Sequence, residues 1–279
     1  MGAPSLWNRL AGDLPPLHAP FLPPEQGPPS PGRARAMALA LAYNGAGFAG
    51  WQIQARGRTI QGQVERELSR LCGHAVRLWA AGRTDAGVHA FGQVASFQTD
   101  SRLEEGRMAQ ALAAMLPPDI WLRRLGRAPE GFHARFDAAG KTYEYYLWPK
   151  ARPGVFLDGL CWPLACDLDM EAMARGAAFL LGEVDLAAFA AHSSEVEGPT
   201  VRRISEATVT PAEGGMILVR LSGSGFLRHV VRNVVGTLTQ IGQHRLEPEA
   251  VGRMLAAGRR IYPGPKAPPG GLYLGQIYY

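Results

Sequence analysis

The sequence is short of cysteine, of lysine and of long apolar runs, and each shortage narrows what the chain can be. Cys72, Cys161 and Cys166 are the only cysteines among 279 residues. That number is odd, and the chain does not open with a positively charged start followed by a long apolar segment. Both observations argue against a secreted disulfide scaffold, so free thiols and a cytoplasmic location are expected. Cys161 and Cys166 have no second pair nearby and the seven histidines are scattered, so no zinc-ligand spacing occurs and no metal is expected. No apolar run reaches the roughly 18 residues that a membrane-spanning helix requires, which argues against a membrane role. No Walker-type phosphate loop is present, and lysine occurs only at Lys141, Lys150 and Lys266.

What is present is apolar and basic. Hydrophobic residues make up 47% and charged residues 19%, ample for a core and too apolar for general disorder. The length suits about two domains, or one large one. The formal net charge is +5, a mild preference for an anionic partner such as nucleic acid. Nearly all of the positive charge is arginine, whose fork contacts phosphate and whose plane stacks on bases. A GC-rich genome that writes Arg for Lys explains the same composition.

Residues 1–36 hold nine of the 22 prolines and no periodic apolar pattern, which predicts a flexible tail. Residues 37–43 then read as a strand. Ile60, Val64, Leu68 and Leu71 fall at helical spacing behind Thr59, a capping residue. Residues 75–81 and 90–98 read as strands around a polar loop, and Met108, Leu112 and Met115 mark a second helix stopped by Pro117-Pro118. Strands are expected near 120–127 and 133–148. The second half repeats the rhythm: a helix over 169–181 ended by Gly182, strands near 201–210 and 215–222, a helix over 226–242, a helix from Glu247-Pro248, and a last strand over 272–278. Each half, 37–139 and 140–279, thus approximates the β-α-β-β-α-β order of ferredoxin-like (RRM-like) units. The expected fold is α+β, with two such halves and mainly antiparallel sheets flanking a central cleft.

Two stretches invite a chemical reading. Gly45-Ala46-Gly47-Phe48-Ala49-Gly50 matches the dinucleotide-binding pattern and follows a strand. In a true site the helix opens directly on the glycines, whereas here it starts near Thr59, and no acidic residue ends a second strand. A glycine-rich turn between strand and helix explains the pattern better. The second stretch is Ala81-Gly82-Arg83-Thr84-Asp85-Ala86-Gly87-Val88-His89. A strand delivers the chain to a tight turn flanked by glycines, which permit close approach of a ligand to the backbone. Asp85 is either a turn former that accepts backbone amides or a displayed carboxylate, and His89 is either a base beside it or a structural histidine.

The 81–89 stretch is similar to the signature of the tRNA pseudouridine synthase A family. The resemblance continues through Tyr43–Gln52, Leu116–Ile120, Phe132–Phe136, Lys141–Tyr145, Gly225–Gly236 and Gly271–Leu274, in the family's order, and so covers nearly all of 37–279. It implies an isomerase that converts uridine to pseudouridine in the anticodon stem-loop of tRNA, typically at positions 38, 39 and 40, without cofactor or metal, as a homodimer. By the same resemblance Asp85 is the reacting carboxylate, Tyr143 the active-site tyrosine, Arg83 a contact to the nucleotide backbone that helps extrude the target base, and Arg232 the cation beside the carboxylate. Arg228, four residues before Arg232, is expected to extend it into a basic helical stripe. Arg56, Arg58, Arg123, Arg124, Arg202, Arg203, Arg259 and Arg260 are candidate phosphate contacts. One departure stands out: Ala113 and Met115 occupy a region where the family commonly has asparagine. The competing class is a structured-RNA-binding protein that keeps the scaffold without turnover.

Overall fold

The computed structural model describes residues 6–23, 34–191, 198–262 and 264–279. In chain order the elements are α1 (Leu6–Leu10), β1 (Arg35–Tyr43), α2 (Ile60–Cys72), β2 (Trp79–Ala80), β3 (His89–Thr99), α3 (Glu105–Met115), β4 (Ile120–Arg127), β5 (Gly140–Trp148), β6 (Trp162–Pro163), α4 (Met170–Ala178), β7 (Gly182–Asp185), β8 (Val201–Ala212), β9 (Met216–Gly223), α5 (Val230–Gly242), α6 (Ala250–Ala257) and β10 (Leu272–Tyr278). The fold is α+β, with extensive antiparallel sheet and helices interspersed. Two compact units divide the chain. One comprises Pro15–Ala139 and Leu274–Tyr279; the other comprises the residues up to Leu14 and Gly140–Tyr273.

In the first unit β1 lies between β3 and β4, antiparallel to both, and β2 pairs with β3 through Trp79 and Ala80. Helix α2 starts where the Thr59 hydroxyl accepts the Gly62 amide, and it stops at Gly73 in the left-handed region. Ile60, Val64 and Leu68 are its buried stripe, each worth about 1.5–3 kcal/mol of apolar burial. The strand expected over 75–81 shrinks to two residues because α2 takes its amides: Val76 donates to Ser69 Oγ and Leu78 to Glu65 Oε1. Residues 133–137 also leave the expected strand, since the Phe136 and Asp137 amides turn back to the His133 carbonyl.

Residues 6–23 correct the expectation of a flexible tail, of which residues 1–5 and 24–33 lie outside the described residues. Leu6 is buried in the second unit, where Arg9 lies 3.6 Å from Glu144. Along the first unit the Pro15 carbonyl accepts Arg123, the Pro16 carbonyl accepts Gln276, and the Leu22 amide donates to the Arg127 carbonyl. Phe21 lies under the Arg124 guanidinium and His18 packs on Tyr278. After the short helix α1, proline keeps the rest of this segment out of helices and sheet interiors but leaves its carbonyls available to side-chain donors elsewhere in the chain. Local composition cannot reveal those donors.

In the second unit β9 lies between β5 and β8, and β7 pairs with β8, all antiparallel; the short β6 runs parallel to β5. Helix α4 ends at Ala178, before Gly182, which adopts positive φ and opens β7, a strand the sequence reading missed. Helix α5 begins at Val230 rather than 226, because His229 sits at φ 66° and breaks the helical path before it. Arg228 and Arg232 therefore do not form a helical stripe. Likewise α6 begins at Ala250, after a turn in which its amide donates to the Glu247 carbonyl.

Candidate active site

The 81–89 loop is held at nearly every residue that could let it drift. Ala81 donates to the Val94 carbonyl, and buried Gln93 donates from its side chain to the Gly82 carbonyl at 2.7 Å. Trp51 donates to the Thr84 carbonyl, Gly87 to the Phe48 carbonyl, and Val88 back to the Asp85 carbonyl, closing a tight turn. The buried Thr84 hydroxyl meets the Tyr43 hydroxyl at 2.9 Å. Burial pushes the Tyr43 phenol up to about 12, against smaller opposing effects of its hydrogen bonds to Thr84 and Gln93.

The glycine-rich turn 45–50 is the bed of this loop and not a dinucleotide site. A side chain on Gly45 would collide with the Val88 carbonyl, and one on Gly50, at φ +104°, would meet the Thr84 carbonyl at 2.8 Å. Helix α2 opens only at Ile60, and its first amides are already taken within the fold: Ile60 donates to the Gly50 carbonyl and Gln61 to the Trp51 carbonyl. His89 is structural: it is buried, and its Nδ1 accepts the Gly45 amide at 3.1 Å, which commits that lone pair. Around these anchors Arg83 is exposed and Asp85 half-buried. The loop thus fixes its backbone through Thr84 and presents an arginine and a carboxylate on either side of it.

In the second unit Tyr143 lies on β5, paired with Leu221, buried, with its ring edge-on to Phe226 at 5.3 Å. Phe226 carries no functional reading from sequence, although it sits inside the quoted Gly225–Gly236 stretch. Arg232 is on α5 and only 8% exposed, so it does not belong to a solvated helix face. Its Nε donates to the Ala267 carbonyl at 2.7 Å, while the Ala267 amide donates to the Arg232 carbonyl. Close approach of this segment requires Gly236, where a side chain would overlap the Pro265 carbonyl.

Several other arginines are committed within the fold. Arg58 pairs through both terminal nitrogens with Asp119 and covers the Phe48 ring; Arg123 holds the Phe91 and Pro15 carbonyls; Arg260 holds Asn233 and the Gly264 carbonyl; and Arg202 holds the Pro199 and Val201 carbonyls. Arg56, Arg203 and Arg259 are exposed. Among the described residues no group of three or more His, Cys, Asp or Glu side chains is placed to hold a metal ion.

Arg83 and Asp85 are thus displayed from a glycine bed in one unit, while Tyr143 and the buried Arg232 belong to the other. A family model described as tRNA pseudouridine synthase matches residues 39–137 and 177–279. A tRNA pseudouridine synthase A of Geotalea daltonii is 40% identical over 88% of this chain and 100% of its own length. That of Moorella thermoacetica is 44% identical over 86% of this chain and 98% of its own length, and that of Geobacter sulfurreducens 40% identical over 88% and 100%. The chain belongs to the tRNA pseudouridine synthase A family.

Proposed function

We propose that this protein isomerises uridine to pseudouridine in tRNA, with Asp85 as the reacting carboxylate. In this reaction the N1–C1′ bond breaks, the uracil turns, and C5 bonds to C1′; C5 loses its proton and N1 gains one, so substrate and product are isomers. Nothing is oxidised, reduced or added, and the chemistry calls for a carboxylate at the sugar–base junction and a site that retains the detached base. The observation that carries the reading is the loop geometry: Thr84 is locked to Tyr43 while Asp85, next to it, remains accessible on a rigid turn. The carboxylate can attack C1′, abstract the 2′-proton on a glycal route, or add to C6 of the base.

In this reading Arg83 engages the nucleotide backbone as the target base leaves its stack. Tyr143 stacks on the loosened uracil, with Phe226 bracing its ring, and Arg232 supplies positive charge to the carboxylate. The two units are read as ferredoxin-like halves. The substrate is read as the anticodon stem-loop, at positions 38, 39 and 40, and the enzyme as a cytoplasmic homodimer that needs no cofactor.

The test is incubation with unmodified tRNA in the presence of EDTA, followed by mapping of pseudouridine. Conversion at the anticodon stem-loop is expected. Asp85→Asn, which keeps the shape and removes the charge, should reduce turnover by at least about 10³-fold, the scale of losing a directly reacting group, while tRNA still binds. Tight tRNA binding by the unaltered protein without conversion would point instead to a binding module on the same scaffold.

A further inference from the structure

The turn after β4 displays rings that packing does not require. Phe136 is 73% exposed and Trp79, on β2, is 42% exposed. His133 stands near both, its ring centre 4.3 Å from that of Phe136 and 6.1 Å from that of Trp79. The Arg135 guanidinium lies 5.6 Å from the centre of the Phe136 ring, and Arg77, two residues before Trp79, is exposed. Burial would have favoured Phe136 inside, as it does Phe132, which is covered and packs on Tyr279. One phenylalanine of the Phe132–Phe136 stretch therefore serves the core and the other does not.

This display is rigid. The His133 amide donates to Asp137 Oδ2 at 2.8 Å, which closes the turn. His133 Nδ1 accepts the Arg135 amide at 3.1 Å and the Phe136 amide at 3.4 Å. The Ala134 amide donates to Ser96 on β3, and the Ala134 carbonyl accepts the Tyr279 hydroxyl. A pre-ordered aromatic surface with a guanidinium beside it is what an unpaired nucleobase and its phosphate require, since stacking tolerates any base and the cation answers the backbone charge. Its place in the chain also fits: β2 runs directly into the 81–89 loop, with Trp79 six residues before Asp85, at most about 20 Å even along fully extended backbone.

We propose that Trp79, His133 and Phe136, flanked by Arg135, form a stacking platform for an unpaired base of the RNA substrate, a few nucleotides from the target uridine. This rests on the tRNA reading above. Turnover of unmodified tRNA by the unaltered enzyme is therefore measured first, and absence of turnover would remove that reading rather than the platform alone. With turnover in hand, Phe136→Ala, Phe136→Leu and Phe136→Trp are compared for tRNA affinity, KM, kcat and sedimentation. The alanine and leucine variants should bind tRNA about 10-fold more weakly, the low end of one base stack, with the loss larger in KM than in kcat; the tryptophan variant should restore affinity. Leucine is the discriminating change, because it keeps apolar bulk and removes the π-face. Affinity of the leucine variant equal to the parent's, or a loss confined to kcat, overturns the proposal. A changed oligomeric state in the alanine or leucine variant also overturns it and assigns the patch to a second copy of the chain.

Discussion

Thr84 stands between the two side chains that the proposed chemistry uses, and its hydroxyl contact with Tyr43 joins residues 41 positions apart. Tyr43 is buried at the end of β1, and its phenol is pushed up to about 12 by burial. A group whose pKa is higher folded than unfolded contributes stability that is complete below the unfolded value, near 10, and lost as pH rises to about 12. Tyr43→Phe should therefore remove one phenol's share of the loss of stability between about pH 10 and 12, up to about 3 kcal/mol from a shift of that size. It should leave the shares of the other buried phenols, Tyr145, Tyr146, Tyr273 and Tyr279, which burial also pushes up. Near neutral pH the same change should cost about 1 kcal/mol, because the Thr84 hydroxyl loses its partner. Denaturant unfolding of both proteins across that pH range measures the two effects, and identical alkaline slopes would remove Tyr43 from the account. The Asp85 loop itself was legible in the sequence because its glycines, Arg83 and Asp85 are contiguous. Its support was not, since Tyr43, Gln93 and the 45–50 bed reach it only through the fold.

At the scale of elements the same divide holds. Helix α2 and strands β3, β4 and β10 were legible because their periods and stops are local: a threonine cap, a glycine end and an alternating apolar run. Strand β2 and the start of α5 were not, because side chains of α2 claim the amides before Trp79 and a left-handed His229 ends the path before Val230. The N-terminal segment is the largest case. Glu144, 1% exposed on β5, accepts the Tyr146 hydroxyl and lies 3.6 Å from Arg9 and 3.9 Å from Arg220. A buried carboxylate that loses one of two nearby cations is costly, though less than one left with none. Removal of residues 1–14, or Arg9→Met alone, should thus destabilise the protein by about 1–3 kcal/mol. The family match begins only at residue 39, so this anchor lies outside what it covers. Equal denaturant midpoints for the full and truncated chains would show that Arg220 suffices.

At the scale of the whole molecule, a net charge of +5 understates how unevenly the arginines are available to RNA. Arg58, Arg123 and Arg260 hold carboxylates or carbonyls of the fold itself, whereas Arg56, Arg203 and Arg259 are exposed. Each cation that neutralises a phosphate releases a counterion, so the slope of log affinity against log salt counts phosphate contacts, at about 0.7–0.9 per contact. Two kinds of substitution should then separate cleanly. Arg58→Gln breaks the two-pronged pair with Asp119 and the cover over Phe48, and should lower the melting temperature by about 2–4 °C, the effect of roughly 1 kcal/mol in a chain of this size, while leaving the salt slope as it was. A combined Arg56→Gln, Arg203→Gln and Arg259→Gln variant should melt as the parent does and bind tRNA with a slope shallower by up to about 2–3. Titrations of unmodified tRNA at several salt concentrations read the slope directly. A shallower slope for Arg58→Gln would mean that its fork leaves Asp119 for phosphate in the complex, and an unchanged slope for the triple variant would place the RNA track on other arginines.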